Sequence, residues 1–189
     1  MYVSDLKRTQ DTANAIYKFF PDTDKPKMEL DMRLREKGAG VLEGKPLGTP
    51  STLAKQAGVP PRMFKPEGGE SWLDVNERVK DFLKDIAARH IAPKKAEEER
   101  KGEEEKEGAT PRVLCVTHGG LIMEFLNYVD SLKSGGEEVT RTNKAKNCAI
   151  FVFAVTIKDS GLHIETLVEN DVDHLTGDAQ DRGRGKGNA

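Results

Sequence analysis

The sequence predicts an α/β domain, and three observations carry that reading. The run 113–120, VLCVTHGG, is a short β-prone stretch ending in a histidine and two glycines, with the helical run 121–126 directly behind it. Met1-Tyr2-Val3 reads as the end of another strand, and a helical pattern follows it over residues 5–20. A third helical pattern, the most secure, runs from Ser71 to about His90. His118 therefore stands at the carboxyl end of a strand, facing a helix start. Open α/β sheets bind ligands at that edge, and a helix N-terminus attracts anions.

Each element has its own warrant. In the first helix Leu6, Thr9, Ala13, Ile16, Tyr17 and Phe20 recur at helical spacing, with Ser4 as N-cap and Pro21 as stop. Residues 28–48 are irregular and punctuated by glycine, and a short helix covers 51–57. Pro60-Pro61 and 66–69 mark loops. In the long helix Trp72, Val75, Val79, Phe82, Leu83 and Ile86 form one apolar face, and Ser71 with Asp74 forms a capping box. Residues 148–157 are nearly continuously apolar, as a strand buried on both faces would be. A turn at 158–161 leads into an alternating edge strand at 162–169.

Composition narrows the class. At 189 residues the chain is one domain. Only 36% of residues are hydrophobic and 33% are charged, so part of the chain is expected to be solvated. The charge run 94–107 inside an insertion at 92–111, and the tail 178–189, are the segments expected to be so, leaving a domain at 1–177. A net charge of −2 gives no electrostatic case for a nucleic-acid or membrane partner. No apolar stretch is long enough for a bilayer and no leader pattern opens the chain, so the cytoplasm is the expected compartment. Cys115 and Cys148 lie in apolar runs and are expected to be buried free thiols, with no metal-binding spacing.

Four short segments carry candidate chemistry. At the strand end, His118 can charge near neutral pH and meet a phosphate with Gly119, or be a structural histidine. In SDLKRT, Arg8 falls in a helix's first turn, where guanidinium and backbone N–H groups converge on an anion, although most such arginines are surface residues. LREKGAGVLEG holds Glu36 and Glu43 in a glycine-rich loop; either is an ordinary surface glutamate or a general acid beside phosphate. PEGGES, with Glu70, opens the long helix and alone marks only a helix start.

In that order the four segments resemble the histidine phosphatase, or phosphoglycerate mutase-like, superfamily, over Ser4 to about Leu175. LREK followed by GVLEG, the insertion before the THG strand, and NDVDHL at 170–175 resemble its fructose-2,6-bisphosphatase-like branch. The resemblance implies a three-layer α/β/α sandwich around a mostly parallel sheet. It implies that Arg8 binds phosphate, that Glu36 donates a proton, and that His118 stabilises the transferring phosphoryl group. Asn147, Glu43 and Glu70 then fall near the substrate pocket. The implied activity is phosphomonoester hydrolysis on a small phosphorylated metabolite such as fructose 2,6-bisphosphate, through a phosphohistidine, without metal or cofactor. A mutase acting on phosphoglycerates is the variant.

One departure stands out. The family's nucleophile is the histidine of an Arg-His-Gly that ends its first strand, and no Arg-His-Gly occurs here. The histidines are His90, His118, His163 and His174. The first strand and helix are therefore expected to be lacking, either because the chain is a truncated phosphatase, the favoured reading, or because it is a non-catalytic phosphate-binding pseudoenzyme.

Overall fold

The computed structural model describes residues 1–46, 48–91, 111–159 and 161–175. The elements are β1 (Tyr2–Val3), α1 (Lys7–Tyr17), β2 (Glu29–Leu30), α2 (Thr49–Gln56), α3 (Trp72–His90), β3 (Cys115–Val116), α4 (Gly119–Lys133), β4 (Ile150–Lys158) and β5 (Gly161–Asp171). Three strands form a parallel sheet in the order β2-β1-β3, with Tyr2 opposite Glu29 and Cys115, and Val3 opposite Leu30 and Val116. β4 and β5 form a separate antiparallel hairpin.

The period of two along β1 builds the layers. Tyr2 points to one face, where it joins Leu34, Val79, Phe82, Ile86 and Leu121. Val3 points to the other, against Ala13 of α1 and Val116. The sheet is thus sandwiched between α1 and the α3–α4 pair. Tyr2 meets Phe82 edge to face at 5.8 Å between ring centroids, and its hydroxyl lies 2.8 Å from His90 Nε2 at the end of α3.

α3 forms where its capping box places it: Asp74 N–H donates to Ser71 Oγ at 3.1 Å, and Ser71 N–H donates to Asp74 Oδ2 at 2.8 Å. Val75, Val79, Phe82, Ile86 and Ala87 are its buried stripe. α1 is shorter than its pattern. It starts at Lys7 with Leu6 as N-cap and no side-chain cap, because the Ser4 hydroxyl is engaged elsewhere. It ends at Tyr17, and Phe19 beyond it is 89% exposed.

Two expectations fail. β4 is not buried on both faces: Ile150, Val152 and Ile157 are exposed, because among the described residues β4 pairs only with β5 and the helical cover comes through Phe125 of α4, which meets Phe153 edge to face at 4.6 Å between ring centroids. Nor are the two cysteines covered as whole residues, although burial of its sulfur pushes the Cys115 thiol up to about 12. Cys115 lies on β3, at one end of the sheet order, and Cys148 sits before β4 in a left-handed turn (φ 57°); both are exposed. β5 keeps its alternation, with Ile164 inward. The segments 94–107 and 178–189 lie outside the described residues. Among the described residues no helix is long and apolar enough to cross a membrane.

Candidate active site

Parallel pairing of β1 with β3 brings two strand ends side by side. Ser4 N–H donates to Val116 O at 2.9 Å, so Ser4 lies beside the chain that continues into Thr117 and His118. His118 is the N-cap of α4, and Arg8 is in the first turn of α1. The two meet: Arg8 Nε–H donates to His118 Nδ1 at 3.1 Å. On the ring's other side Nε2 lies 2.9 Å from Ser4 Oγ. Ser4 and His118 are both buried, whereas Arg8 stays exposed on the solvent side.

Glu36 arrives from a third segment. Thr117 Oγ1 donates to Leu34 O at 2.7 Å, tying the end of β3 to the turn at Met32–Leu34. Glu36 Oε2 then accepts from Gly120 N–H at 3.1 Å, and Oε1 accepts from Lys37 N–H at 2.9 Å. Its carboxylate therefore rests on the N-terminus of α4, two residues from His118, where the helix dipole favours negative charge. Gly120 has to be small there. A Cβ would stand 2.2 Å from Glu36 Oε1 and 3.0 Å from Trp72.

Arg78, from the middle of α3, holds the backbone beneath Glu36. Its Nη1 donates to the carbonyls of Arg33 and Arg35, both at 2.7 Å, and Nη2 donates to Glu36 O at 3.2 Å. Nε–H donates to Glu70 Oε1 at 2.9 Å, while Glu70 Oε2 accepts from Gly38 N–H at 2.8 Å. Arg35 pairs with Asp5 through both carboxylate oxygens, joining the Glu36 segment to the start of α1. Burial would raise the Glu70 pKa, but the Arg78 and Gly38 hydrogen bonds outweigh it and hold the carboxyl below its usual range. Burial pushes His118 below the ordinary imidazole range; Arg8 and Arg78 add to this, against Glu36 and Asp5.

Arg8, Glu36, His118 and Gly119 thus share one sheet edge. Glu70 adjoins them but is committed to Arg78 and Gly38. Glu43 is exposed beyond the turn at Gly40–Leu42. Asn147 is exposed in the loop whose Ala145 approaches the start of α4: a Cβ on Gly119 would meet Ala145 Cβ at 3.8 Å. Three neighbours went unnoticed in the sequence: Ser4, Arg78, and Lys37, which lies 5.5 Å from the Trp72 ring centroid. Ser4 passed for a helix cap, and Arg78 for one more charge beside an apolar stripe. A surface depression of 530 Å³ along α3, lined by Asp74, Arg78 and Lys84 among others, includes none of Ser4, Arg8, Glu36 or His118. Among the described residues no cluster of three or more His, Cys, Asp or Glu is placed to hold a metal.

Known proteins share the sequence pattern and the fold of this chain. Residues 1–170 match the profile of the histidine phosphatase superfamily (branch 1). The mouse (Mus musculus) fructose-2,6-bisphosphatase TIGAR is 28% identical over 210 residues, covering 93% of this chain and 78% of that protein. The Bos taurus protein of the same name is 40% identical over 86 residues, 44% of this chain and 31% of its own length. Among solved structures, a mycobacterial glucosyl-3-phosphoglycerate phosphatase with inorganic phosphate superposes with a TM-score of 0.61 at 21% identity, covering 93% of this chain and 78% of that one. A second, mycobacterial hydrolase 2, has a TM-score of 0.61 at 20% identity, over 97% of this chain and 75% of that one. At these identities the structures speak for the fold.

Proposed function

The chain belongs to the histidine phosphatase superfamily, and on that premise we propose that it binds the phosphoryl group of a phosphorylated sugar, fructose 2,6-bisphosphate being the lead candidate. The observation that carries this reading is the contact of Arg8 with His118 at the sheet edge, 3.1 Å between Nε and Nδ1 from segments 110 residues apart. The exposed guanidinium presents its outer N–H groups to phosphate oxygens. Gly119 stands at the first position of α4, where the helix does not use the N–H itself. Together they offset charge on the equatorial oxygens, with His118 beneath them. Glu36, at the same helix start, is the group to protonate a leaving alkoxide once a bound phosphoryl dianion beside it offsets the helix dipole and favours the protonated carboxyl. The mouse relative's name motivates the sugar bisphosphate.

A covalent step needs a nucleophile, and among the described residues the groups gathered around His118 are suited to binding and to proton transfer. Of the other histidines, His90 pairs with Tyr2, and His163 and His174 are exposed in β5 and after it. The chain of 189 residues is therefore proposed to hold substrate without turning it over, which also favours the second reading, a non-catalytic phosphate-binding protein. The test is phosphate release from fructose 2,6-bisphosphate and from a phosphoglycerate, by this chain and by the same chain with a β-strand ending in Arg-His-Gly joined ahead of Met1. The chain alone should release none and the extended chain should hydrolyse the bisphosphate. Release by the chain alone, abolished in His118→Gln, would overturn the proposal and make His118 the phosphoryl acceptor. An extended chain that binds both compounds and cleaves neither would leave the second reading standing.

A further inference from the structure

The surroundings of His118 define where its proton is. A guanidinium has donors only, so Nδ1, which faces Arg8 Nε–H at 3.1 Å, is the bare, accepting nitrogen. The ring proton of the neutral imidazole is then on Nε2, donated to Ser4 Oγ at 2.9 Å. Ser4 is completely buried, so water cannot take its place as acceptor. It is held rigidly: its N–H donates to Val116 O at 2.9 Å, and its carbonyl accepts from Thr9 Oγ1 at 3.0 Å. While Arg8 occupies Nδ1, a second proton on the ring would set N–H against N–H and cation against cation. The other charged groups facing the ring are Asp5, from the β1–α1 connection, Glu36, from the loop after Leu34, and Arg78 of α3.

We propose that Arg8 fixes His118 as the Nε2–H tautomer, with Ser4 a positioning residue that orients the ring as the buried acceptor of that proton, so that a phosphoryl dianion drawing Arg8 away from Nδ1 binds together with one proton taken up at that nitrogen. This rests on the phosphoryl-binding reading above. The step is an exchange of partners without covalent change. Arg8 Nε–H leaves the Nδ1 lone pair for an anion oxygen, a proton from solvent adds to that lone pair, and the new Nδ1–H donates to the same anion. The low proton affinity of the free ring and the negative charge of the ligand set the range over which uptake is seen. It lies between the depressed pKa of the free site and the raised one of the complex.

Two measurements on the whole chain test this. Nitrogen-detected NMR of His118 without ligand should show a neutral ring with Nε2 protonated, and Arg8→Met should shift the ring toward mixed tautomers; a wild-type ring protonated on Nδ1 overturns the proposal. Calorimetry with sulfate, a dianion that does not itself titrate near neutrality, in buffers of different ionisation enthalpy should show uptake approaching one proton, abolished in His118→Gln. Sulfate binding with no proton uptake overturns the proposal and leaves the binding reading intact. No sulfate binding at all, with the Nε2–H tautomer present, removes the binding reading and the coupling built on it.

Discussion

Replacing Arg78 by methionine keeps the aliphatic stem and removes the guanidinium, the group on which the Glu36 loop is hung. The wild-type side chain is 15% exposed and Glu70 is 28% exposed. Five contacts vanish: two to the Glu70 carboxylate and three to the carbonyls of Arg33, Arg35 and Glu36. Stripping one partner from a fully buried pair costs about 3–5 kcal/mol. Water reaches Glu70 and can reach some of the carbonyls, so the expected loss is roughly 2–4 kcal/mol. With a urea dependence of about 2 kcal/mol per molar, the unfolding midpoint should fall by about 1–2 M. The single tryptophan, Trp72, at the start of the same helix, gives the fluorescence signal. Arg78→Lys should recover less than half of the loss, because one ammonium cannot span a carboxylate and three carbonyls at once. An Arg78→Met midpoint that corresponds to a change under about 0.5 kcal/mol would refute the claim that this arginine holds the loop.

Three further outcomes follow from the same geometry. Gly120→Ala puts a methyl 2.2 Å from Glu36 Oε1; it should cost about 1–3 kcal/mol in thermal melts and weaken sulfate binding, and an unchanged melt would show that Glu36 yields freely. Arg62→Met leaves the buried Glu124 carboxylate, bonded by Arg62 Nη1 at 2.7 Å and Nη2 at 2.8 Å, without its cationic partner and with the neutral Asn127 amide at 2.9 Å. The expected loss is about 3–5 kcal/mol, and adding Glu124→Gln should restore a good part of it in a double-mutant cycle; strictly additive losses would mean the pair is not coupled. Acid should destabilise the fold in two stages, read by urea unfolding across pH. His118 has a depressed folded pKa, so the unfolded chain takes its proton first and stability begins to fall below about 6.5. Asp74, lowered by the Ser71 N–H and hydroxyl, and Glu70 stabilise above their unfolded values, and that contribution is lost as pH drops through the folded ones, below about 4. Stability that stayed flat from pH 7 to 3 would contradict both assignments.

What could be read from the sequence was what local chemistry decides. α3 was legible from end to end because its cap, Ser71 with Asp74, and its stripe lie within one stretch of chain. Arg8 and His118 were legible as partners because each sits at the junction of an apolar run and a helix start, and such junctions share a sheet edge. β2 was not, since two residues, Glu29 and Leu30, carry no periodicity and become a strand only by pairing with β1. Ser4 was misread for a related reason: its hydroxyl lies 2.9 Å from a ring 114 residues away and takes only a long hydrogen bond, 3.4 Å, from Leu6 N–H at the helix start. The 148–157 run was read as doubly buried because its composition reports hydrophobicity and not how many layers cover it; one helix contributes Phe125, and much of the strand stays open.

The wide separation of the segments that make this site also has a kinetic meaning. Contacts at separations of 110 and 114 residues close long loops, whose entropic cost is shared with the pairing of β1 and β3. A helix such as α3 can form and dissolve on its own timescale, but the environment of the His118 ring exists only in a chain that has completed its long-range pairing. Its resonance therefore reports on that long-range pairing and not on helix formation alone.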